Sequence, residues 1–321
     1  MTTLPQQRPW WNRAGDQLAA WRMRGNLGRN PMFVAGVVVL GLFALLALAR
    51  PVLDATLFDG GGGIYDPLVG YDRTIDHPSG PSARHLLGTD TFGRDVLALL
   101  VAATSATVAI AVGAALVTGI LALALGTVMA FWRGRVDQVL SHVADAVVLL
   151  PAPLVMIVFA FARPDLFTPW RFGVIYGLLS GVGAGAIVVR SYGLTVINKP
   201  FIDAARVAGG SPWRLMSRHM LPHLAPLAAI QTMLAATGAI VAAAFVDFLT
   251  PGGTGEPTYG TLVYSGLSAQ QQIADQPAWS ALLAGSLAIS LLAAAFYLLS
   301  VGLRQQVDPT TRDSWTSGGG V

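Results

Sequence analysis

Two histidines four residues apart, His219 and His223 in HMLPH, have the spacing at which a helix presents two imidazoles to zinc. A zinc-dependent hydrolase also needs a glutamate as general base directly after the first histidine, but Met220 occupies that position and Pro222 interrupts the helix. The sequence contains no Gly-x-Ser-x-Gly turn and no cysteine. We therefore expect no metal site and no catalytic residue in this chain.

The single lysine bears on whether the protein can hydrolyse ATP. Lys199 lies in VINKPF without a glycine-rich approach, whereas a phosphate-cradling loop places its lysine directly after such glycines. Hydrolysis by that route is excluded, so any ATPase that powers this protein must be a separate chain.

A glycine pattern in GLLSGVGAGA has two interpretations. Gly181 to Ala186 matches a dinucleotide-binding turn, but no strand precedes it and no ribose-binding acid follows. Gly177, Gly181 and Gly185 fall on one helical stripe, and small residues on such a stripe let helices approach closely in a membrane. We therefore expect this stripe to pack against a neighbouring helix.

Two carboxylates lie near the ends of apolar runs, where ionisable groups are costly in lipid and are candidates for function. Asp145 follows His142 by three residues and begins the third run, and Asp247 closes the fifth run in AAAFVDFLTPGG. Either carboxylate could line a polar pathway or form part of a gate. Each is also close enough to an interface to be merely solvated, and the residue types leave both interpretations open.

The apolar runs define the class of protein. Hydrophobic residues make up 54% of the 321 residues and charged residues 12%, with a mean hydropathy of +0.59, whereas a soluble domain carries about twice that share of charge. Because about 20 apolar residues cross a bilayer, the runs predict six transmembrane helices in an all-α integral membrane protein. The runs are Pro31–Ala49, Val96–Trp132, Ala146–Ala162, Phe172–Val189, His219–Val246 and Gln276–Leu303. The second run is interpreted as one long, tilted helix.

Basic residues assign the two sides of the membrane. Of the 20 Lys and Arg residues, 14 fall in cytoplasmic segments and six outside if the amino terminus is cytoplasmic. Since positive charge is retained on the inner side, both termini are predicted to be cytoplasmic. The net charge of +3 includes no long run of one sign, so nucleic acid is not expected as a partner.

These features divide the chain into five parts. Residues 1–31 carry Trp10, Trp11 and Trp21 among arginines, which is typical of an amphipathic helix at the inner headgroup layer, with a disordered tail as the alternative. The remaining parts are a first transmembrane helix (32–52), an external loop or small subdomain (53–95), a five-helix core (96–303) and a cytoplasmic tail (304–321). The 53–95 part holds seven of the 17 acidic residues and could gate a substrate, dock an external protein or merely connect two spans.

We call residues 197–223 the docking segment, a polar stretch between the fourth and fifth spans that includes DAARVAGGSPWRLMSRHMLP. Pro200 suits a first helical position, and Gly209 or the glycine after it can end that helix in a left-handed conformation. Ser211 signals a second helix start, and Pro222 is expected to end the second helix. The sequence thus predicts two short helices hinged at a glycine pair.

Apolar side chains alternate with charges along the docking segment. The apolar residues are Phe201, Ile202, Val207, Trp213, Leu215 and Met216. Two short helices cannot bury that surface alone, so the segment is predicted to dock another protein. An amphipathic loop that rests on the membrane is the alternative.

The docking segment resembles the EAA loop of ABC importer permeases. The matching residues are Asp203-Ala204-Ala205, Gly209, Arg218-His219 and Leu221-Pro222, with Arg190, Leu194 and Phe201 upstream. Three further stretches resemble the dipeptide, oligopeptide and nickel importers, in particular the second of their two paired permeases. They are HLLGTDTFGRDVL, ADAVVLLP with Asp145 and Pro151, and VGLRQQVDPTTRD. The resemblance covers about residues 20–313.

The resemblance implies a type I ABC importer permease fold in a bacterial inner membrane. The chain would be a transport subunit, not an enzyme, and would form half of a pathway for di- or oligopeptides. Its implied partners are a homologous second permease, two ATPase subunits or one fused pair, an external substrate-binding protein and the lipid membrane. ATP and magnesium would bind the ATPase, and no cofactor is expected in this chain. A secondary transporter and an intramembrane hydrolase are the alternative functions.

The family's coupling loop contacts the ATPase, and the resemblance assigns this role by position. The implied coupling residues are Phe201, Asp203, Ala204, Ala205, Arg206, Gly209, Gly210, Trp213, Arg214 and His219. Asp203 stands where the family usually has glutamate, and Ala243 where it usually has an acid, with Asp247 four residues later. Tyr259 replaces a tryptophan in the loop after the fifth span. These departures leave the substrate open.

Overall fold

The computed structural model of the protein describes residue 28 and residues 30–58, 63–163, 167–250, 256–272 and 278–307. The predicted interfacial helix around Trp10, Trp11 and Trp21 and the tail after residue 307 lie outside the described residues. Within those ranges the regular secondary structure is helical, and strand-like pairing is limited to one bridge between Thr89 and Asp95. The prediction of an all-α protein is confirmed.

The helices are numbered in chain order. They are α1 (Pro31–Thr56), α2 (Val96–Phe131), α3 (Arg135–Leu149), α4 (Ala152–Ala162), α5 (Pro169–Ser180), α6 (Ala186–Val196), α7 (Pro200–Val207), α8 (Pro212–Arg214), α9 (Leu221–Leu249), α10 (Tyr259–Gln272) and α11 (Trp279–Val307). Wide π-helical stretches, Gly181–Gly185 and Leu215–Met220, join α5 to α6 and α8 to α9.

Five continuous helices of the described chain are long and apolar enough to cross a membrane. They are Pro31–Thr56, Val96–Phe131, Pro169–Val196, Pro212–Leu249 and Trp279–Gln305. A sixth span exists only if α3 and α4, which meet at an angle of 77°, are counted as one. The third predicted run, 146–162, is therefore not one straight helix. Its break follows from Pro151, because a residue before proline is driven to extended backbone and Leu150 has ψ of 116°.

The long helix α2 forms the centre of the bundle. It is 36 residues long, which confirms the prediction of a single helix, and spans about 54 Å at 1.5 Å per residue. It packs against α1, α5, α6 and α9, and its buried residues belong to each of the three larger apolar clusters. The predicted glycine stripe lies against α2: a Cβ on Gly181 would be 2.9 Å from the Cβ of Leu121. Close helix packing at this stripe is confirmed.

Two predictions about the region around α9 need correction. The second docking helix does not end at Pro222, because the helix from Pro212 continues to Leu249. The π-helical stretch lies directly before the proline, and Leu221 N–H there donates to the carbonyl oxygen of Met216, five residues back. Such wide turns let a helix accommodate a proline that lacks its own N–H. The loop predicted after the fifth span also contains a helix, α10, of 14 residues.

Candidate functional site

The docking segment begins with a helix that has defined start and stop signals. Pro200 occupies the first turn of α7, as predicted. After the last helical residue, Gly209 has φ of +80° and its N–H donates to the carbonyl oxygen of Arg206 at 3.0 Å. The N–H of Gly210 donates to the carbonyl oxygen of Ala205, also at 3.0 Å. This pair of bonds is a Schellman motif, so the predicted left-handed cap is confirmed at Gly209.

The next helix starts immediately after the glycine turn. Ser211 is its N-cap, and the hydroxyl oxygen accepts from the N–H of Arg214 at 3.4 Å. Because the cap and the glycine turn are adjacent, the second helical part of the docking segment follows the first without a flexible linker.

Buried apolar contacts attach α7 to the bundle. Ile202 is fully buried and packs in a cluster with Val196, Met220 and Leu224. The ring of Phe201 stacks on the ring of His223, with centroids 4.9 Å apart and an interplanar angle of 22°. Burial of one isoleucine side chain stabilises by about 1.5–3 kcal/mol. The docking segment is therefore a rigid extension of the spans on either side of it.

The opposite side of the docking segment faces solvent. Val207 is 90% exposed and Trp213 72% exposed, and Asp203 and Arg206 form an exposed ion pair at 3.1 Å. Ala204, Gly209 and Arg214 are also exposed, whereas Ala205, Gly210 and His219 are half-buried.

The prediction that all six apolar residues of the segment form the docking surface is wrong for three of them. Ile202, Leu215 and Met216 are buried because they supply the internal contacts that hold the segment in place.

The two histidines of the docking segment are not arranged as a zinc pair. Nδ1 of His223 lies 2.7 Å from the carbonyl oxygen of His219, and the His223 ring is stacked on Phe201. In the part of the chain that the structure describes, no group of three or more His, Asp or Glu residues is placed to hold a metal ion.

Polar contacts connect the docking segment and α6 to α3. Arg190 on α6 donates from Nε and Nη2 to the two carboxylate oxygens of Asp137, the second contact measuring 2.7 Å. The guanidinium of Arg133 donates to the side-chain oxygen of Asn198 at 3.1 Å. Paired N–H bonds to a carboxylate fix orientation as well as distance. These contacts join α6 to the first turn of α3 and the start of the docking segment to the turn that precedes α3.

The broken span contains Asp145, one of the two predicted pathway residues. It is exposed near the end of α3, and its charge interacts with that of Arg190. At the break after α3 is a cavity of about 300 Å³ between α3, α4 and α5. Its lining residues are Val147, Val148, Leu150, Pro151, Ala152, Tyr176, Leu179, Ser180 and Ala184.

Asp247, the other predicted pathway residue, is fully buried near the end of α9. The hydroxyl of Thr258 donates to its carboxylate and accepts from the N–H of Gly260 at 3.2 Å. The carboxylate thereby holds the N-terminus of α10 against α9. Tyr259, at the tryptophan position of the resemblance, is also buried, and its hydroxyl donates to Oγ1 of Thr104 on α2 at 2.8 Å.

Residues 63–95 form an ordered unit around buried polar groups. The imidazole of His85 lies between two carboxylates, with Nδ1 2.8 Å from Asp95 and Nε2 3.3 Å from Asp72. The hydroxyl and N–H of Thr74 donate to Asp72 and, with His85 and Arg84, lower the pKa of Asp72 to about 2. Asp95 is in addition the N-cap of α2, which attaches this unit to the central helix.

Sequence reasoning found the docking segment but missed its buried anchor and a helix elsewhere in the bundle. It did not assign Ile202 as the buried anchor. The signal was available, because the charged residues Asp203 and Arg206 are three residues apart and mark the exposed face of α7. It also missed α10. The Thr258-x-x-Thr261 spacing is a weak capping signal for this helix. In the structure the N–H of Thr258 donates to Oγ1 of Thr261 at 3.1 Å.

Known proteins are similar to this chain in sequence, two of them over most of its length. Residues 122–313 match the family described as "Binding-protein-dependent transport system inner membrane component". The dipeptide transport system permease protein DppC of Alkalihalophilus pseudofirmus is 28% identical over 96% of each chain. The glutathione transport system permease protein GsiD of Pectobacterium atrosepticum is 28% identical over 85% of this chain and 86% of its own. The oligopeptide permease OppC of Lactococcus lactis subsp. cremoris is 30% identical over 56% of this chain and 60% of its own.

The family match covers well over half of the chain and includes the docking segment, α9 and α11. It agrees with the multi-pass arrangement of apolar helices and with the rigid segment between the fourth and fifth spans. It favours a permease over the alternatives of a secondary transporter and an intramembrane hydrolase. The chain belongs to the family of binding-protein-dependent transport system inner membrane components and is a permease subunit of an ABC importer.

Proposed function

We propose that this permease forms half of a translocation pathway for di- or oligopeptides, which an external substrate-binding protein delivers. The relatives named for dipeptide, oligopeptide and glutathione transport support this class of substrate, because all three names refer to peptides. A homologous second permease supplies the other half of the pathway. The protein lies in a bacterial inner membrane with both termini in the cytoplasm, and the excess of basic residues on that side supports the orientation.

ATP and magnesium bind to two partner ATPase subunits, or to one fused pair, and not to this chain. The ATPase contacts the exposed side of the docking segment, where Asp203, Arg206, Val207 and Trp213 project from a rigid base. The observation that carries the proposal is that the docking segment combines an exposed face of charged and aromatic residues with a buried anchor, Ile202. A rigid segment transmits force, whereas a flexible loop absorbs it.

The remaining predicted coupling residues have supporting positions. The small side chains of Ala204 and Ala205 and the turn at Gly209 and Gly210 let the ATPase approach the backbone. Asp145 lines the pathway, and Asp247 acts on the gate indirectly by holding α10, as its bond to Thr258 suggests.

Charge reversal at Asp203 tests the coupling role. Asp203 is exposed, and its one ionic contact among the described residues is with Arg206. We therefore expect Asp203→Arg to leave the fold intact. The variant places two like charges three residues apart on the docking surface. We expect normal membrane insertion and loss of peptide-stimulated ATP hydrolysis in the complex assembled with its binding protein. A dipeptide serves as the stimulating substrate, and a free amino acid as the negative control.

Asp203→Glu is the matched variant, because it keeps the charge and restores the residue usual in the family. It is expected to retain stimulation. Full stimulation by the dipeptide in Asp203→Arg would show that this face does not couple to the ATPase. Equal stimulation by the amino acid and the dipeptide would instead contradict the proposed substrate class.

A further inference from the structure

Helix α3 leaves most of its surface uncovered by the rest of the described chain. Among its 15 residues the fully buried side chain is that of Ala144. Arg135, Gln138, His142 and Asp145 are all exposed. The surface that α3 leaves uncovered therefore includes charged and polar groups as well as apolar ones.

The exposed surface of α3 divides into two flanks. At 3.6 residues per turn, Gln138, His142 and Asp145 fall on one side of the helix, which we call the polar flank. Val136, Val139 and Val143, which are 46%, 62% and 47% exposed, fall on another, which we call the apolar flank. The two flanks and the buried face at Ala144 lie about 120° apart around the helix axis.

The polar flank extends over two turns of α3. Gln138 and Asp145 are seven residues apart, so the flank rises about 10 Å along the axis. An aspartate at the centre of a membrane helix costs about 2.5–3.5 kcal/mol when it faces lipid. Its short side chain cannot extend to the interface as lysine and arginine do.

We propose that the polar flank of α3 lines the water-filled translocation pathway, while the apolar flank faces lipid. The imidazole of His142 and the carboxylate of Asp145 offer hydrogen-bonding partners to the amides and the ammonium group of a passing peptide. The Asp137–Arg190 ion pair connects α3 to α6, the helix that leads into the docking segment. This inference rests on the proposed function, since it requires a peptide pathway, and it names side chains that line it.

The chain contains no cysteine, so single cysteines can be introduced without altering any other residue. Two neighbouring pairs compare the flanks at nearly equal depth: Gln138→Cys with Val139→Cys, and His142→Cys with Val143→Cys. The importer is assembled in membrane vesicles, and the charged reagent methanethiosulfonate ethyltrimethylammonium is added to both sides. Cysteines on the polar flank are expected to react about tenfold faster than their apolar partners, because the reactive thiolate forms in contact with water.

Peptide uptake is measured on the same vesicles. Labelling of Gln138→Cys should reduce uptake, whereas Val139→Cys should transport normally before and after exposure to the reagent. Equal reactivity within each pair, or no reaction on the polar flank, would overturn the inference, because the flank would then face lipid or be covered by protein. If uptake persists in that case, the proposed function stands; if the flank reacts but the importer without introduced cysteines transports no peptide, the proposed function fails instead.

Discussion

Gly209 gives a test of whether the turn in the docking segment determines contact with the ATPase. Its φ of +80° is unfavourable for any residue with a side chain, yet a Cβ added there would meet no atom within 4 Å. The cost of Gly209→Ala is therefore conformational only, about 1–2 kcal/mol. A change of that size lowers the ratio of native to alternative conformations of the turn by a factor of about 5–30. We expect correspondingly less ATPase to be retained when the importer is purified through this chain.

Gly134, in the turn between α2 and α3, is the matched control. Its φ is +93° and an added Cβ would again meet no atom within 4 Å. Because its ψ of −132° lies outside the left-handed helical region, Gly134→Ala should lower the temperature of unfolding by at least as much as Gly209→Ala does, yet retain the ATPase. If Gly209→Ala retains the ATPase as well as the unmodified chain does, or if both variants lose it equally, the turn is not the determinant of docking.

Two further predictions concern polar contacts outside the docking surface. The folded pKa of Asp72, about 2, is below the unfolded value of about 3.9, so its stabilising effect is present above about pH 4 and lost as the pH falls towards 2. The protection factors of amides in residues 63–95, which are exchange rates corrected for the intrinsic effect of pH, should fall over that range, and Asp72→Asn should remove this fall; protection factors that do not change with pH in the unmodified chain would contradict this. Asp137→Asn and Arg190→Gln should each lower stability by about 1–3 kcal/mol, and in thermal unfolding the double variant should lose much less than the sum. Additive losses would show that the pair does not interact.

The docking segment shows how far local signals extend. Pro200, the glycine turn and Ser211 each act within one or two residues of their own position, and the structure confirms all three. Pro222 carries an equally clear local signal, but the helix passes through it, because wide turns before the proline and packing of the flanking residues compensate for the missing N–H. A stop signal of a few kcal/mol is decisive only where tertiary contacts do not oppose it.

The sequence specifies the class of protein, because the length of its apolar runs and the distribution of charge along the chain do not depend on tertiary packing. It also determined the position of the docking segment and the residues that cap it. Which apolar side chains of that segment are anchors and which are exposed depends on tertiary packing, since Ile202 and Val207 have the same chemistry and differ in what surrounds them. The same holds for the two acids: Asp145 remains exposed on α3, whereas Asp247 is enclosed and binds Thr258. Burial is a property of the packed helices, and no stretch of the chain specifies it alone.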